Sequence, residues 1–318
     1  MAIPVIDFSK LDGEERAKTL AQIAHCCEEW GFFQLINHGI NDELLEKVKK
    51  VASECYKLER EANFKKSKPV QLLNEVVEKK SDQKIENVDW EDVFLLSDEK
   101  DDQWPIGHQI LLISMNTMTQ YRSEIKNLAI KAMEIMDENL GLPRGYINRS
   151  FNGGDKNPSP AFFGTKVSPY PPCPRPENIN GLRAHTDAGG VVLLFQDDEV
   201  KGLQILKDGS WVDVQPVRNA VGDQIEVLSN GRYKSVWHRV LAMADGNRRL
   251  IASFYNPSYE ATIEPDEGLL VDERVEKEGY ERTEYEEIRW SRESIIDTKR
   301  SPRTASSKWW RVDDVDLA

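Results

Sequence analysis

Three residues of this chain have the types and spacing to hold a ferrous ion. His185 and Asp187 lie together in Gly181-Leu-Arg-Ala-His-Thr-Asp-Ala-Gly-Gly190, and His238 lies downstream in Gly231-Arg-Tyr-Lys-Ser-Val-Trp-His-Arg-Val240. Two imidazoles and one carboxylate on one face of Fe(II) leave the opposite face open, and a chelating substrate and O2 need those vacant positions. In an extended segment alternate residues face the same side. His185 and Asp187 should therefore point together into a barrel mouth, with Thr186 turned away, and a neighbouring strand should bring in His238. An H-x-D tripeptide alone is a weak signal, and a single histidine is more often a core or turn residue. The weight here rests on three such residues in strand-like surroundings, with the apolar run Val191 to Phe195 directly after the first two. Arg248, just ahead of Ser253-Phe-Tyr-Asn-Pro257, could hold a substrate carboxylate in its guanidinium fork. Its ordinary role would be a salt bridge. Lys166 and Tyr170 could line the same cavity, Arg183 shares the parity of His185, and Gln196 and Phe254 could form pocket wall. All of these also have plain core or sheet readings.

The elements that must position these groups fall into two regimes. Ile3 to Phe8 reads as a strand. Asp12 followed by Glu15 resembles a capping box, ahead of Leu20, Ile23, Ala24, Cys27 and Trp30 at helical spacing. Gly31 to Ile36 reads as a strand and Asn37-His-Gly39 as a turn. A helix should follow Asn41 and bury Leu44, Leu45, Val48, Val51, Ala52 and Cys55. The Lys/Glu-rich stretch from 57 to 87 reads as surface helix or loop. A long helix is expected from Ser114 to Leu140, stopped by Gly141 and Pro143. From Phe162 the rhythm changes to short β-type runs between Gly, Pro and Asp: Leu203 to Leu206, Trp211 to Val214, Gln224 to Leu228, Ser235 to Val240 and Leu250 to Tyr255. That is the rhythm of an antiparallel sandwich or jelly roll.

Bulk composition narrows the function. The 318 residues carry 42 Lys and Arg against 55 Asp and Glu, a net charge of −13 with no long basic block, which disfavours nucleic acid and anionic membrane as partners. No apolar run approaches the ~20 residues of a membrane span, and Met1-Ala-Ile-Pro has no secretory apolar region. The four cysteines, Cys26, Cys27, Cys55 and Cys173, lack zinc spacing and fit a reducing, cytoplasmic setting. A monomer acting on a small molecule is expected.

Several stretches carry a family resemblance. Phe163-Gly-Thr-Lys-Val-Ser168, Tyr170-Pro-Pro-Cys-Pro-Arg-Pro-Glu177, the stretch Gly181 to Gly190, Leu194-Phe-Gln-Asp-Asp198 and Asn230-Gly-Arg-Tyr-Lys-Ser235 resemble the plant 1-aminocyclopropane-1-carboxylate (ACC) oxidases. These belong to the non-haem Fe(II)/2-oxoglutarate-dependent dioxygenases, and Glu29-Trp-Gly-Phe-Phe33 with Asn37-His-Gly39 is similar to the N-terminal region of that superfamily. The match covers roughly residues 2 to 263. It implies an α+β fold, a double-stranded β-helix (jelly roll) core flanked by N-terminal and spacer α-helices. It divides the chain into an N-terminal dioxygenase-type region over 2–105, a helical spacer over 106–150, the Fe(II)-binding jelly roll over 151–260 and a divergent, loosely ordered tail over 261–318. By resemblance His185, Asp187 and His238 match the iron ligands. Arg248, Lys166, Tyr170, Arg183, Gln196 and Phe254 match residues near substrate, ascorbate or bicarbonate. The implied reaction takes ACC, chelated through its amine and carboxylate, and O2 to ethylene, CO2 and cyanide. Ascorbate supplies electrons and bicarbonate or CO2 activates.

Three departures from the family stand out. The family reads Arg-x-Ser where this chain reads Arg248-Arg249-Leu250, and leucine offers no donor. The segment before Gly222 is about four residues short, an even number that preserves strand parity. Residues from Asp266 to Ala318 do not resemble the family's terminal helix and basic segment. Two alternatives therefore stay open: a 2-oxoglutarate-dependent oxygenase on another small substrate, and a catalytically impaired relative.

Overall fold

The computed structural model describes residues 2–97, 111–155, 158–187, 190–196, 200–217, 229, 231–258, 261 and 263. The segment before Gly222, the run Gln224 to Leu228 and the tail from Asp266 lie outside the described residues.

The N-terminal region is helical around one small parallel pair. Strand β1 (Val5–Asp7) and strand β2 (Gln34–Ile36) run side by side, with helix α1 (Arg16–Glu29) as their crossover. The expected capping box is not formed. Asp12 closes a 3-10 turn, Phe8–Asp12, and Asp7 caps that turn by accepting from the Ser9 N–H at 3.1 Å. Glu15 precedes α1 with no side-chain capping bond. An acidic residue shortly before a helical pattern serves whichever turn begins next to it, and here an unforeseen 3-10 turn comes first.

Helix α2 (Asp42–Cys55) follows the expected pattern. Asn41 accepts from the Glu43 N–H at 2.7 Å, which satisfies one of the four orphan donors of a helix start. Leu44, Leu45, Val48, Val51, Ala52 and Cys55 are all buried. The Lys/Glu-rich stretch continues as a π turn, Tyr56–Arg60, then the single turn α3 (Glu61–Phe64) and helix α4 (Lys68–Glu78). After strand β3 (Phe94–Ser97) comes the long helix α5 (Leu111–Leu140), ended by Gly141 at φ +74°, and a short helix α6 (Tyr146–Phe151). No helix among the described residues is long and apolar enough to cross a membrane.

The remaining strands form the two facing sheets of the jelly roll. They are β4 (Phe162–Tyr170), β5 (Asn180–His185), β6 (Val191–Gln196), β7 (Leu203–Lys207), β8 (Ser210–Asp213), β9 (His238–Leu241) and β10 (Arg248–Asn256). One sheet has the order β3-β4-β10-β6 and the other β5-β9-β7-β8, with antiparallel neighbours throughout. The α+β jelly roll expected from the sequence is the observed fold.

The first sheet is covered on both sides, and its alternation sorts its residues. Phe163, Val167, Val191, Leu193, Phe195, Ile251 and Tyr255 join the core made with α1, α2 and α5. The opposite parity carries Tyr170, Leu194 and Leu250 into a second cluster with Leu203, Ile205 and Val240 of the other sheet. Every functional candidate on β4, β6 and β10 shares this second, inward parity.

Candidate metal centre and active site

The metal candidates meet where β5 and β9 pair. His185 and His238 are direct cross-strand partners, with ring centroids 4.2 Å apart. The pairing is not regular. Asn180 opposes Leu241, and that register carried on unbroken would set His238 opposite Arg183. Two register shifts, one between Asn180 and Leu182 and one between Leu182 and His185, move His185 into place instead. Bulges re-aim side chains in this way beside active sites. The strand ends at His185, and Asp187 follows in the loop with its carboxylate between both rings. Oδ1 lies 3.5 Å from His185 Nε2 and Oδ2 lies 3.6 Å from His238 Nε2. One ligand atom from each of the three falls within 4.8 Å of the others.

The donor chemistry fits a divalent metal. His185 Nδ1 faces the Arg183 carbonyl oxygen at 2.8 Å, and His238 Nδ1 faces that of Val236 at 3.1 Å. A carbonyl only accepts, so each ring donates its Nδ1 proton there and turns Nε2 toward Asp187, the arrangement that orients a ligating histidine. Burial opposes the charge on Asp187, but His238 and His185 together with Lys166 hold its pKa down at about 2. Burial also depresses the pKa of His238, keeping it neutral and ready to ligate. At His185 burial is outweighed by the hydrogen bond and charge of Asp187, and the pKa rises. The centre offers two imidazole nitrogens and one carboxylate oxygen, a set suited to Fe(II).

The inward face of the other sheet supplies the polar wall. Arg248 is 1% exposed, reaches the Gln196 Oε1 at 3.3 Å with Nη2, and lies over the Tyr170 ring at 5.2 Å. Tyr170 is its cross-strand partner on β4, and Lys166 stands four residues earlier on the same face. The Lys166 ammonium acts electrostatically on His185, Asp187 and His238 alike. Phe254 is half-buried and shares the parity of Arg248. The structure thus places Lys166, Tyr170, Gln196, Arg248 and Phe254 on one face. Arg183 is elsewhere: the second register shift interrupts its parity with His185, and its guanidinium lies on Asp89, with Nε 2.9 Å from Oδ1.

Two residues of this site were not foreseen. Asp89 accepts from the Arg183 backbone N–H at 3.0 Å as well as from its side chain, and so fixes the residue whose carbonyl orients His185. Glu91 receives Lys166 Nζ at 3.2 Å and the Tyr170 hydroxyl at 3.2 Å. Both lie in an irregular segment without periodicity. The available signal was three carboxylates around Trp90 among apolar residues, in Val88-Asp-Trp-Glu-Asp-Val-Phe94.

Close packing behind the loop leads to a testable expectation. A Cβ on Gly190 would come within 2.3 Å of the Phe151 ring and 2.5 Å of the Tyr255 carbonyl oxygen. The Gly190 N–H also donates to Asn256 Oδ1 at 2.9 Å. Gly190→Ala must therefore push the end of the Asp187 loop outward. Overpacking of this kind costs about 1–3 kcal/mol. Thermal denaturation should show a lowered melting temperature and anaerobic Fe(II) titration a weakened affinity; an unchanged pair of values would mean that the loop is not held from behind.

Comparison with known proteins sets this geometry in context. Residues 159–257 match the 2OG-Fe(II) oxygenase superfamily, and residues 3–112 match the family described as non-haem dioxygenase in morphine synthesis N-terminal. The chain is 67% identical over 270 residues to 1-aminocyclopropane-1-carboxylate oxidase 5 of Arabidopsis thaliana, covering 83% of this chain and 86% of the relative. It is 64% identical over 277 residues to 1-aminocyclopropane-1-carboxylate oxidase of Musa acuminata, covering 86% and 88%. Among solved structures, JOX2 in complex with 2OG, Fe and JA superposes with a TM-score of 0.69 at 31% identity, over 85% of this chain and 79% of that one. The dioxygenase for auxin oxidation in rice gives a TM-score of 0.66 at 21% identity, over 86% and 89%, a likeness of fold.

Proposed function

Since the chain belongs to the ACC oxidase family within the 2OG-Fe(II) oxygenase superfamily, we propose that this Fe(II) oxidoreductase converts ACC and O2 to ethylene, CO2 and cyanide. The observation that carries the reading is the convergence of His185, Asp187 and His238 opposite an inward wall holding a buried arginine. These three residues would hold the iron. When bound, Fe(II) supplies a Lewis acid for a chelating amino acid and a one-electron partner for O2. The protein's own part is geometry and charge. Arg248 on the inward face attracts the substrate carboxylate, Gln196 orients the guanidinium, Tyr170 supports it from below, and Lys166 lines the same face. Phe254, with Val192 and Leu194 beside the centre, keeps water from the reacting atoms. Arg183 contributes through its carbonyl oxygen at His185, with its side chain held by Asp89.

Ascorbate as electron donor and bicarbonate or CO2 as activator complete the proposed cofactor set, with the cationic inward wall as the place for either anion. The jelly-roll region over 151–260 would act as the catalytic unit on the N-terminal and spacer helices. The four cysteines are buried and not joined in disulfides, which supports a reducing, cytoplasmic compartment, where the protein would work as a monomer. The test is anaerobic loading with Fe(II), then headspace analysis in air with ACC, ascorbate and bicarbonate. Ethylene that depends on all four additions is the expected result. Succinate formed from 2-oxoglutarate, without ethylene from ACC, would overturn it in favour of a 2-oxoglutarate-dependent oxygenase.

A further inference from the structure

We propose that Glu91 is a positioning residue for substrate binding, acting through Lys166 and Tyr170; the inference rests on the ACC oxidase reading and names a residue behind its polar wall. The Glu91 side chain has 0% exposure, and its carboxylate takes the Lys166 ammonium at 3.2 Å and the Tyr170 hydroxyl at 3.2 Å. Those two partners stand four residues apart on the inward face of β4, and Tyr170 in turn lies beneath the Arg248 guanidinium. One carboxylate therefore fixes both ends of the wall that faces the metal centre.

Stability does not account for this arrangement. Taking a lysine and a glutamate out of water costs about as much as their attraction returns, so a buried ion pair contributes little net folding energy. What it does determine is position and charge. Lys166 and Arg248 each bring one positive charge to the inward face, and Glu91 removes one. A zwitterionic amino acid, with a carboxylate for the wall and an amine for the metal, then meets a wall of net charge +1 with a single dominant attractor at Arg248. With Glu91 neutral, Lys166 would become a second, mobile attractor and would draw the carboxylate toward itself.

The chain path reinforces the assignment. Trp90 donates from its backbone N–H to the Asn180 carbonyl oxygen at 2.9 Å and from its indole to that of Pro171 at 2.8 Å, and Asp92 N–H donates to that of Pro169 at 3.0 Å. This segment is thus tied to the start of β5 and to the end of β4, one anchor on each sheet. Glu91 is held at a fixed height between them and cannot follow Lys166 if that side chain swings.

The experiment measures ACC binding by calorimetry to anaerobic, Fe(II)-loaded full-length protein, together with Fe(II) affinity and melting temperature. Glu91→Gln keeps size and hydrogen-bonding capacity but removes the charge. It should weaken ACC binding about tenfold, the effect of losing one well-placed charge-assisted contact, with Fe(II) affinity unchanged. Glu91→Asp should recover part of the loss. In the Lys166→Gln background, Glu91→Gln should cost less than it does alone, because one of the two residues it positions is already gone. Should Glu91→Gln fail to fold, Glu91→Asp and the double variant, which leaves no lone charge, carry the same comparison. Unchanged ACC affinity, additive losses in the double variant, or a parallel fall in Fe(II) affinity would each overturn the positioning role. Wild-type protein that binds Fe(II) but no ACC would instead overturn the activity reading, and this inference with it.

Discussion

Asp187→Ala should abolish Fe(II) binding and turnover together. The carboxylate lies between His185 Nε2 and His238 Nε2 at 3.5 and 3.6 Å, and its pKa of about 2 keeps it anionic at any working pH. Without it two imidazoles remain, and the group that meets at the centre among the described residues holds no second carboxylate to balance the ion's charge. Removing a partner one shell further out typically costs 10–100-fold in metal affinity, so loss of a direct ligand should exceed about 100-fold. Anaerobic Fe(II) titration and ethylene release should fail in parallel, while circular dichroism shows a retained fold. A variant that binds Fe(II) normally would remove Asp187 from the ligand set.

The second large effect concerns a residue that departs from the family. Leu250 stands two residues from Arg248 on the same inward face, between Ser168 on β4 and Gln196 on β6, where the family pattern is Arg-x-Ser. A hydroxyl there would add a hydrogen bond to a carboxylate held by Arg248, worth about 1.5–3 kcal/mol for a charged group. Leu250→Ser should therefore raise kcat/KM for ACC roughly 10- to 100-fold, at a tenfold change per 1.4 kcal/mol. The same change has a cost. Leu250 is 5% exposed and packs with Tyr170, Leu203 and Ile205, and losing such a side chain costs about 2–5 kcal/mol of stability. The variant should melt earlier, so its activity must be referred to folded protein at low temperature. No gain in protein that binds Fe(II) would mean that position 250 does not limit the reaction.

Local chemistry was legible wherever a single element decided it. The Asn41 cap and the six buried residues of α2 follow from helical spacing, and the sorting of β4, β6 and β10 into two faces follows from alternation. His185 and Asp187 do point to one place, although Asp187 lies past the end of β5, where strand alternation no longer decides it. What the sequence did not show depends on partners distant along the chain. The two register shifts in β5 exist only against β9, and nothing local distinguishes Arg183 from His185 as the residue opposite His238. Asp89 and Glu91 lie in a segment with neither helical nor strand period, so only their tertiary partners reveal their use. Asp12 misled because capping residues serve any turn, and the 3-10 turn before α1 leaves no periodic trace.

The central claim is that the His185, Asp187 and His238 centre presents Fe(II) to ACC, and the most direct measurement is anaerobic calorimetry of ACC into iron-free and Fe(II)-loaded wild-type protein. The expected result is one ACC per chain on the loaded protein and none on the iron-free form or on Fe(II)-treated Asp187→Ala. Equal ACC binding with and without iron, or none to protein that has taken up Fe(II), would contradict the account.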